Sequence, residues 1–579
     1  VRMGVGAQKT GKRKAAAGGS PLKKQSKKGE GATLSSSSPM GVFSERMKSK
    51  KLEDIMAETP TPTAASAKGV VVIGPGSSTL RLGLVGVGTA AYKSAAVGVL
   101  DLPQPYSCPN VLAWKRKDGA PEPAAPPREP LTEQRTAEIT TRLEEVRAAV
   151  GMTSTGPTKR TAVRPRIEDS VLAGGNSSTE KEFVFGYEAE RLQEGGSTCY
   201  EFHRPVRFGR LALGRRDEGL RSTGAMRADL VKMWTTAVRH YLNIKEAELA
   251  DYQAVLVVAN DMPRSHVSLM VDVLLADMEM AGCVVMKEAA CAAFGAGTSS
   301  AVVVDVGLEE TRVCCVEDGS ILPETKLTLS YGGRHIEELL SFLLCTSPRY
   351  SLDDGLGTPL SPHLLYAQEA VRTLKEQCHL ALDVGDYQPV ELAVRREGKL
   401  RMYSLSLNEE LKLAPMGLFF PSLFRMEQPP LVATWADYDD VHGPSLLSLA
   451  GGAPEKEREL PTAQALPLDE AILHSAQCLA DPELTSAFMG NVLLVGGSVM
   501  FPQLEGYLHE RLVARMGPGV DPADVELLAL PQGTPADTAA WAGAAIVPAM
   551  PMYGGLVVSR DEWRTKGVKA LREKVLFAW

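Results

Sequence analysis

Residues 70–81 have the composition of a phosphate-binding loop. An apolar run ends at a Gly-Pro-Gly turn, which is followed by the hydroxyls of Ser77 and Ser78 and the cation of Arg81. Glycine lets backbone amides approach an anion, and hydroxyls and a cation match its charge. The turn contains no carboxylate, although sites that hydrolyse nucleotides usually hold one to position metal-bound water. The stretch therefore predicts either a phosphate site without the full catalytic groups or an ordinary tight turn.

Two further apolar runs end at glycines in the same manner. One ends at Asp305-Val-Gly307 and the other at Val495-Gly-Gly-Ser498. In parallel sheets, ligands bind beyond the carboxyl ends of the strands, where such turns lie. Three loops so far apart in the chain predict two phosphate loops and a nucleoside-contacting turn around a bilobed nucleotide cleft.

Strands and helices alternate through most of the chain after residue 180. Apolar residues recur at helical spacing over 225–242, and buried strands are predicted at 254–259, 301–305 and 492–495. This alternation is typical of an α/β fold with largely parallel sheets. A chain of 579 residues exceeds what one hydrophobic core supports, so two or more lobes are expected.

Two irregular segments interrupt this pattern and are predicted insertions. Residues 118–180 are rich in Pro, Gly, Ser and Thr, with a helix expected over 131–150, and residues 427–466 mix Pro and Gly with charges.

No apolar run approaches the roughly 18 residues that span a bilayer. The nine cysteines form no CxxC pair, which favours reduced, mostly buried thiols in an intracellular protein.

The first 52 residues have a charge opposite to that of the rest. They hold 13 Lys and Arg against two Glu, whereas the whole chain has a net charge of −7. With so few apolar residues the tail cannot fold alone, so residues 1–66 are predicted to be disordered. Such a tail is typical of a nuclear-import signal or a contact to nucleic-acid phosphates, and the alternative is a merely solubilising segment. The candidate DNA-binding residues are its clustered cations: Lys12, Arg13, Lys14, Lys23, Lys24, Lys27, Lys28, Lys50 and Lys51.

The motifs taken together resemble the actin superfamily. The similar stretches are the two phosphate loops, the nucleoside-contacting helix, the late glycine turn and a final tryptophan motif: Val72–Gly83, Val304–Arg312, Val371–Asp383, Val495–Pro502 and Trp541–Ala545. Other stretches resemble one branch of nuclear actin-related proteins and differ from conventional actin: Val316–Gly319, Tyr331–Gly333, Ala414–Pro421, Leu468–Ser475 and Leu571–Trp579.

This resemblance implies a bilobed actin-like ATPase fold, in which two mixed sheets flanked by helices surround the nucleotide cleft. Residues 67–296 would form the first lobe, which includes insertion 118–180. Residues 297–537 would form the second, with insertion 427–466, and residues 538–579 would return to the first.

The resemblance also implies which residues bind ATP or ADP. Carried over position by position, they are Gly76, Ser77, Ser78, Arg81, Asp305, Val306, Gly307, Leu308, Arg372, Lys375, Glu376, Gly496, Gly497, Ser498 and Met500. Mg²⁺ would arrive with the nucleotide, and Asp305 is the carboxylate expected near it.

Three positions depart from the actin pattern. Gly74 replaces the metal-organising Asp of the first loop, Leu308 replaces an acid of the second loop, and Glu288 replaces the Gln that positions the attacking water. Glu288 could serve as a catalytic base or could be only a helix-surface acid. The expectation is that the cleft binds ATP and hydrolyses it slowly or not at all.

The function implied by the resemblance is that of a nuclear, non-polymerising scaffold in an Ino-eighty-type ATP-dependent chromatin-remodelling complex. Its partners would be the motor subunit, actin, another actin-related protein, linker DNA and histones, with no membrane contact. Roles in transcription regulation and DNA repair are implied. The alternatives are an active actin-fold ATPase or small-molecule kinase, and a cytoplasmic filament protein.

Overall fold

A computed structural model describes most of the chain outside the basic tail. The described residues are 67–86, 103–116, 133–150, 166–167, 181–194, 197, 199–214, 221–346, 370–380, 388–396, 399–424, 432–434, 466–479, 481–517 and 521–574. The predicted tail, 1–66, lies outside this range, as does most of both predicted insertions. None of the helices in the described part is long and apolar enough to cross a membrane.

The first large sheet has six strands in mixed orientation. In spatial order they are Val558–Ser559, Gly282–Lys287, Tyr252–Val258, Gly69–Pro75, Thr79–Val85 and Tyr106–Pro109. Gly69–Pro75 runs parallel to Tyr252–Val258, with Val71 opposite Ala254, and antiparallel to the hairpin strand Thr79–Val85. The tight turn of this hairpin is the predicted first phosphate loop, so the central strand of the sheet fixes its position.

The second large sheet also mixes parallel and antiparallel pairs. Its strands, in spatial order, are Val432–Thr434, Leu327–Leu329, Thr311–Glu317, Ala301–Val306 and Val492–Val495, with Ser320–Ile321 paired to Thr311–Glu317. Ala301–Val306 is parallel to Val492–Val495 and antiparallel to Thr311–Glu317. The second loop and the glycine turn therefore leave neighbouring strands at the same edge of this sheet.

Helices cover both faces of the two sheets. Those of eight or more residues span Glu133–Ala149, Tyr187–Glu194, Thr223–Leu242, Arg264–Asp272, Glu288–Gly295, Gly333–Thr346, Glu409–Met416, Leu468–Gln477, Pro482–Met489, Leu504–Met516 and Ala539–Ile546. Shorter helices span Ala370–Lys375, Tyr553–Leu556, Arg560–Lys566 and Val568–Lys574. The helix predicted at 225–242 is present to within two residues at each end.

Two helices, Glu288–Gly295 and Ala539–Ile546, cross between the sheets at the base of the cleft. Their backbones touch, because a Cβ atom placed on Gly543 would lie 1.7 Å from the carbonyl oxygen of Cys291. Only glycine permits so close an approach. This contact fixes the start of one helix, at Glu288, and the segment just before the other, at Asp537, on the cleft.

The helix Glu133–Ala149 confirms the helix predicted within the first insertion. Its buried residues Ile139, Leu143 and Val146 pack into the core on the second sheet, although the predicted domain boundaries placed this insertion in the first lobe. The short strand Arg166–Ile167 likewise pairs with Lys399–Leu407, whose own partner is Gln388–Arg396.

Candidate functional site

The three glycine loops surround one cavity of about 610 Å³. Its walls contain all of the predicted nucleotide-binding residues except Val306, which is fully buried in the second core. Glu288 also lines the cavity. The structure therefore brings together residues that are more than 400 positions apart in the sequence.

Hydrogen bonds from one buried asparagine hold the first loop in shape. Asn110 is fully buried, and its Nδ2 donates to the carbonyl of Gly76 at 2.6 Å, while its backbone N–H donates to the carbonyl of Ser78 at 2.7 Å. The backbone N–H of Gly76 closes the turn onto the carbonyl of Thr79 at 3.0 Å. The Ser77 and Ser78 side chains thus stand at the cavity wall on a loop whose backbone is constrained.

The second loop is held from both sides. The N–H of Gly307 donates to the carbonyl of Glu310 at 2.9 Å, and the Arg334 N–H donates to the carbonyl of Leu308 at 2.7 Å. Glu309 has only 2% of its side chain exposed and accepts from the N–H of Phe208 at 2.6 Å. A nitrogen of Arg334 lies 3.1 Å from the Glu309 carboxylate. Glu309 was not predicted as a site residue, and it fastens this loop to the hairpin at 206–211.

The glycine turn requires its first glycine. Gly496 has a φ of 96°, and a Cβ there would lie 2.5 Å from the carbonyl of Val306 and 2.6 Å from Oδ1 of Asp305. The Ser498 hydroxyl donates to the carbonyl of Gly307 at 3.1 Å, so the turn and the second loop are directly bonded. Any side chain at Gly496 would separate them.

Within the described residues, the predicted nucleoside-contacting motif is helical over Ala370–Lys375 and not over 376–380. Its last residues, 381–383, lie outside the described range. Arg372 donates to the Ser78 hydroxyl at 2.9 Å and to Glu190 at 3.1 Å, and Lys375 is paired with Glu337. These cations line the cavity while already holding partners.

A buried arginine, Arg312, lies among the acids of the cleft. Its Nε donates to Asp261 at 2.8 Å, another nitrogen donates to Glu310, and Nη1 lies 4.0 Å from Oε2 of Glu288. Burial alone would lower the pKa of Arg312, but the carboxylates, Asp261 foremost, raise it well above its ordinary value. The guanidinium is therefore a permanent cation at the centre of this cluster.

Glu288 lies at the cavity wall, and not on an outer helix surface as one of the two interpretations of the sequence had it. It begins the central helix at the cavity wall, with 25% of its side chain exposed. Burial, and then the charge of Asp305, raises the pKa of Glu288 to about 7. Burial likewise raises the pKa of Asp305, although Arg312 and Arg81 oppose the shift.

Asp305, the carboxylate expected near a metal, is accompanied by acids that the sequence did not indicate. Asp261 and Glu310 also reach the cluster, but both are hydrogen-bonded to Arg312. Within the described residues, no three His, Cys, Asp or Glu side chains are grouped so that they could hold a metal ion. The carboxylates present therefore do not fit a metal held by the protein itself.

Other site residues were missed because their partners are distant in sequence. Arg81 is paired with Asp537 at 2.9 Å, and the Trp541 ring forms part of the wall. The acidic pair Glu309-Glu310 was the signal in the sequence that could have indicated a cation nearby. The predicted DNA-binding cations lie outside the described residues.

Comparison with known proteins agrees with this geometry. The family model for actin matches residues 226–361 and 407–576, which is more than half of the chain. The chain therefore belongs to the actin family, and the predicted actin-like fold with two mixed sheets is confirmed.

Within this family the chain is similar to actin-related protein 8. It is 29% identical to that protein of Danio rerio over 493 residues, which is 72% of this chain and 77% of the relative. It is 27% identical to the Aedes aegypti protein over 593 residues, covering 90% and 99% of the two chains. A solved structure, human actin-related protein Arp8 in its ATP-bound state, matches with a TM-score of 0.71 and 26% identity, covering 88% of this chain and 97% of that one. The comparisons thus support an actin-related protein of this type.

Proposed function

We propose that this chain binds ATP in the cleft as a structural ligand and serves as a non-polymerising nuclear scaffold of an Ino-eighty-type chromatin-remodelling complex. The observation that carries the first part is the convergence of the three loops on one cavity. The ATP-bound state of the similar human structure supports the choice of nucleotide. ADP would meet the same loops.

Side-chain hydrogen bonds across the cleft support the proposal that the nucleotide stays bound and is not turned over. Arg372, which lies on the side of the second sheet, donates hydrogen bonds to Ser78 in the first loop and to Glu190. Arg312 of the second sheet reaches Asp261, which follows a strand of the first sheet. Bonds of this kind oppose opening of the lobes, and in many enzymes opening or product release limits turnover. A closed cleft favours slow exchange of whatever it encloses.

The catalytic alternative rests on Glu288. An acid whose pKa is raised to about 7 is poised to accept a proton near neutral pH, as a general base must. Opposing this role, Gly74 and Leu308 leave two of the actin-like acidic positions without a carboxylate. We therefore propose at most a very weak ATPase and keep an active ATPase or small-molecule kinase as the second candidate.

Magnesium enters this proposal only with the nucleotide. The protein offers Asp305 near the phosphate loops, whereas Asp261 and Glu310 are hydrogen-bonded to Arg312. A Mg²⁺ ion bound to the phosphates would add positive charge where the triphosphate is most negative.

The scaffold role is supported by similarity and by charge. The relatives are named actin-related protein 8, a type implied to act in chromatin remodelling. The surplus of 11 positive charges in residues 1–52 suits contact with DNA phosphates or with acidic surfaces of histone complexes. The motor subunit, actin and a second actin-related protein are the proposed protein partners.

Affinity isolation of the tagged full chain from nuclear extract tests the scaffold role. Recovery of a remodelling motor together with actin, identified by mass spectrometry, would support it. A chain lacking residues 1–52 is the matched control, since the motor and actin should still be recovered through the folded part. Recovery of neither by the full chain would contradict the proposal.

A further inference from the structure

Arg312 occupies the position among the cleft carboxylates where a bound cation would be expected. It has 9% of its side chain exposed, and its nitrogens face Asp261, Glu310 and Glu288. Asp305 is its cross-strand neighbour in the second sheet. A guanidinium is planar, permanently charged and weakly hydrated, which makes it suited to a buried position between several carboxylates.

The hydrogen bonds of Arg312 occupy two of the carboxylates that a metal ion could otherwise bind, Asp261 and Glu310. Asp261 and Glu310 have less than a seventh of their side chains exposed and each already accepts from the guanidinium. Mg²⁺ demands a near-ideal octahedron of oxygens and gives up its water reluctantly. Displacing Arg312 from these carboxylates would leave a buried charge unpaired, which is costly.

The cavity also provides cations for a triphosphate. Arg81, Arg312, Arg372 and Lys375 all line it. In most nucleotide sites metal ions supply much of this neutralisation. Here ion pairs with Asp537, Glu190 and Glu337 hold Arg81, Arg372 and Lys375 at the wall.

We propose that Arg312 is the resident cation of this cleft, so that nucleoside triphosphates bind without requiring a divalent metal. The inference rests on the proposed nucleotide binding and specifies its metal dependence. Arg312 balances the acids that would otherwise repel the phosphates, and no oxygen ligand of a metal is needed from the protein.

Calorimetric titration of nucleotide-free full chain with ATP tests this directly. It is performed once with excess Mg²⁺ and once with excess EDTA. The dissociation constant should differ by less than about threefold between the two. Binding in Mg²⁺ but a loss of more than about thirtyfold in EDTA would overturn the inference and leave the proposed function standing. Absence of ATP binding in both would refute the proposed function itself.

Substitution of Arg312 assigns the effect to this residue. Arg312→Gln exposes the carboxylates, so its ATP affinity should become at least about tenfold weaker in EDTA than in Mg²⁺. Arg312→Lys should remain nearly independent of the metal, and so should Arg227→Gln, which removes an Asp-paired arginine outside the cleft. If Arg312→Gln keeps equal affinity in both solutions, Arg312 is not the resident cation. Thermal unfolding verifies that each variant folds, and if Arg312→Gln does not, the comparison on the unsubstituted chain decides.

Discussion

Replacing Glu288 by Gln should stabilise the nucleotide-free protein at alkaline pH and leave it nearly unchanged in mild acid. In the unfolded chain this acid loses its proton near pH 4.5, whereas in the folded cleft its pKa is about 7. The folded state therefore binds the proton more tightly, and the contribution of Glu288 to stability is lost as the pH rises through this interval. Gln mimics the protonated form and does not titrate.

The interval between these two pKa values sets the size of the effect. At about 1.4 kcal/mol per pKa unit, the raised pKa of Glu288 lowers the free energy of unfolding by at most ~3 kcal/mol above pH 7. A quarter of the side chain is exposed, so water screens part of it, and we expect ~1–3 kcal/mol. Urea unfolding at pH 5 and pH 8 gives the free energy of unfolding of both proteins.

The difference between variant and unsubstituted chain should grow between the two pH values. Glu505→Gln removes an exposed acid from the helix Leu504–Met516 and should change the free energy of unfolding little at either pH. An equal effect of Glu288→Gln at both pH values, or destabilisation at pH 8, would refute the inference that burial in the cleft disfavours the ionised form of Glu288.

Three further measurements concern the helix contact at Gly543, the basic tail and filament formation. Gly543→Ala places a methyl group against the carbonyl of Cys291 and should lower the free energy of unfolding by about 2 kcal/mol or more. The control is Gly506→Ala, where a Cβ has no atom within 4 Å, and this variant should not destabilise the protein. Deleting residues 1–52 should weaken DNA binding and make the slope of log affinity against log salt concentration less steep. The slope should change by about 0.9 for each DNA phosphate that the tail neutralises in the full chain. An unchanged slope would rule out a DNA role for the tail. Light scattering with ATP and Mg²⁺ should show no assembly of the full chain, and an increase with time would indicate a filament protein.

Local patterns were enough to predict the loops and most of the elements around them. The first loop, the second loop and the glycine turn each follow a run of strand-forming residues, and it is the recurrence of this pattern at three places that predicts one shared site. All three lie at the wall of one cavity. The helix Glu133–Ala149 was also foreseen from composition, but its stripe of apolar residues predicts only a buried face and not which core covers it.

The ion pairs between acids and cations of the cleft could not be predicted from the sequence. Arg312 meets Asp261 only because a strand of the second sheet faces a loop of the first, across 51 positions of chain. Arg81 meets Asp537 across 456 positions. The burial of Glu288 is likewise a tertiary effect, which is why the sequence left its role open between base and surface acid.

The fate of bound ATP distinguishes a structural ligand from a substrate that is turned over. Purified full chain is loaded with ATP labelled at the γ-phosphate, freed of excess nucleotide, and sampled over hours for bound ATP and released phosphate. We predict about one ATP per chain, retained intact, with faster release from Arg372→Ala because that variant lacks the bonds to Ser78 and Glu190. Phosphate release on the order of 1 per second, typical of an enzyme and abolished by Glu288→Ala, or failure to retain any nucleotide, would contradict it.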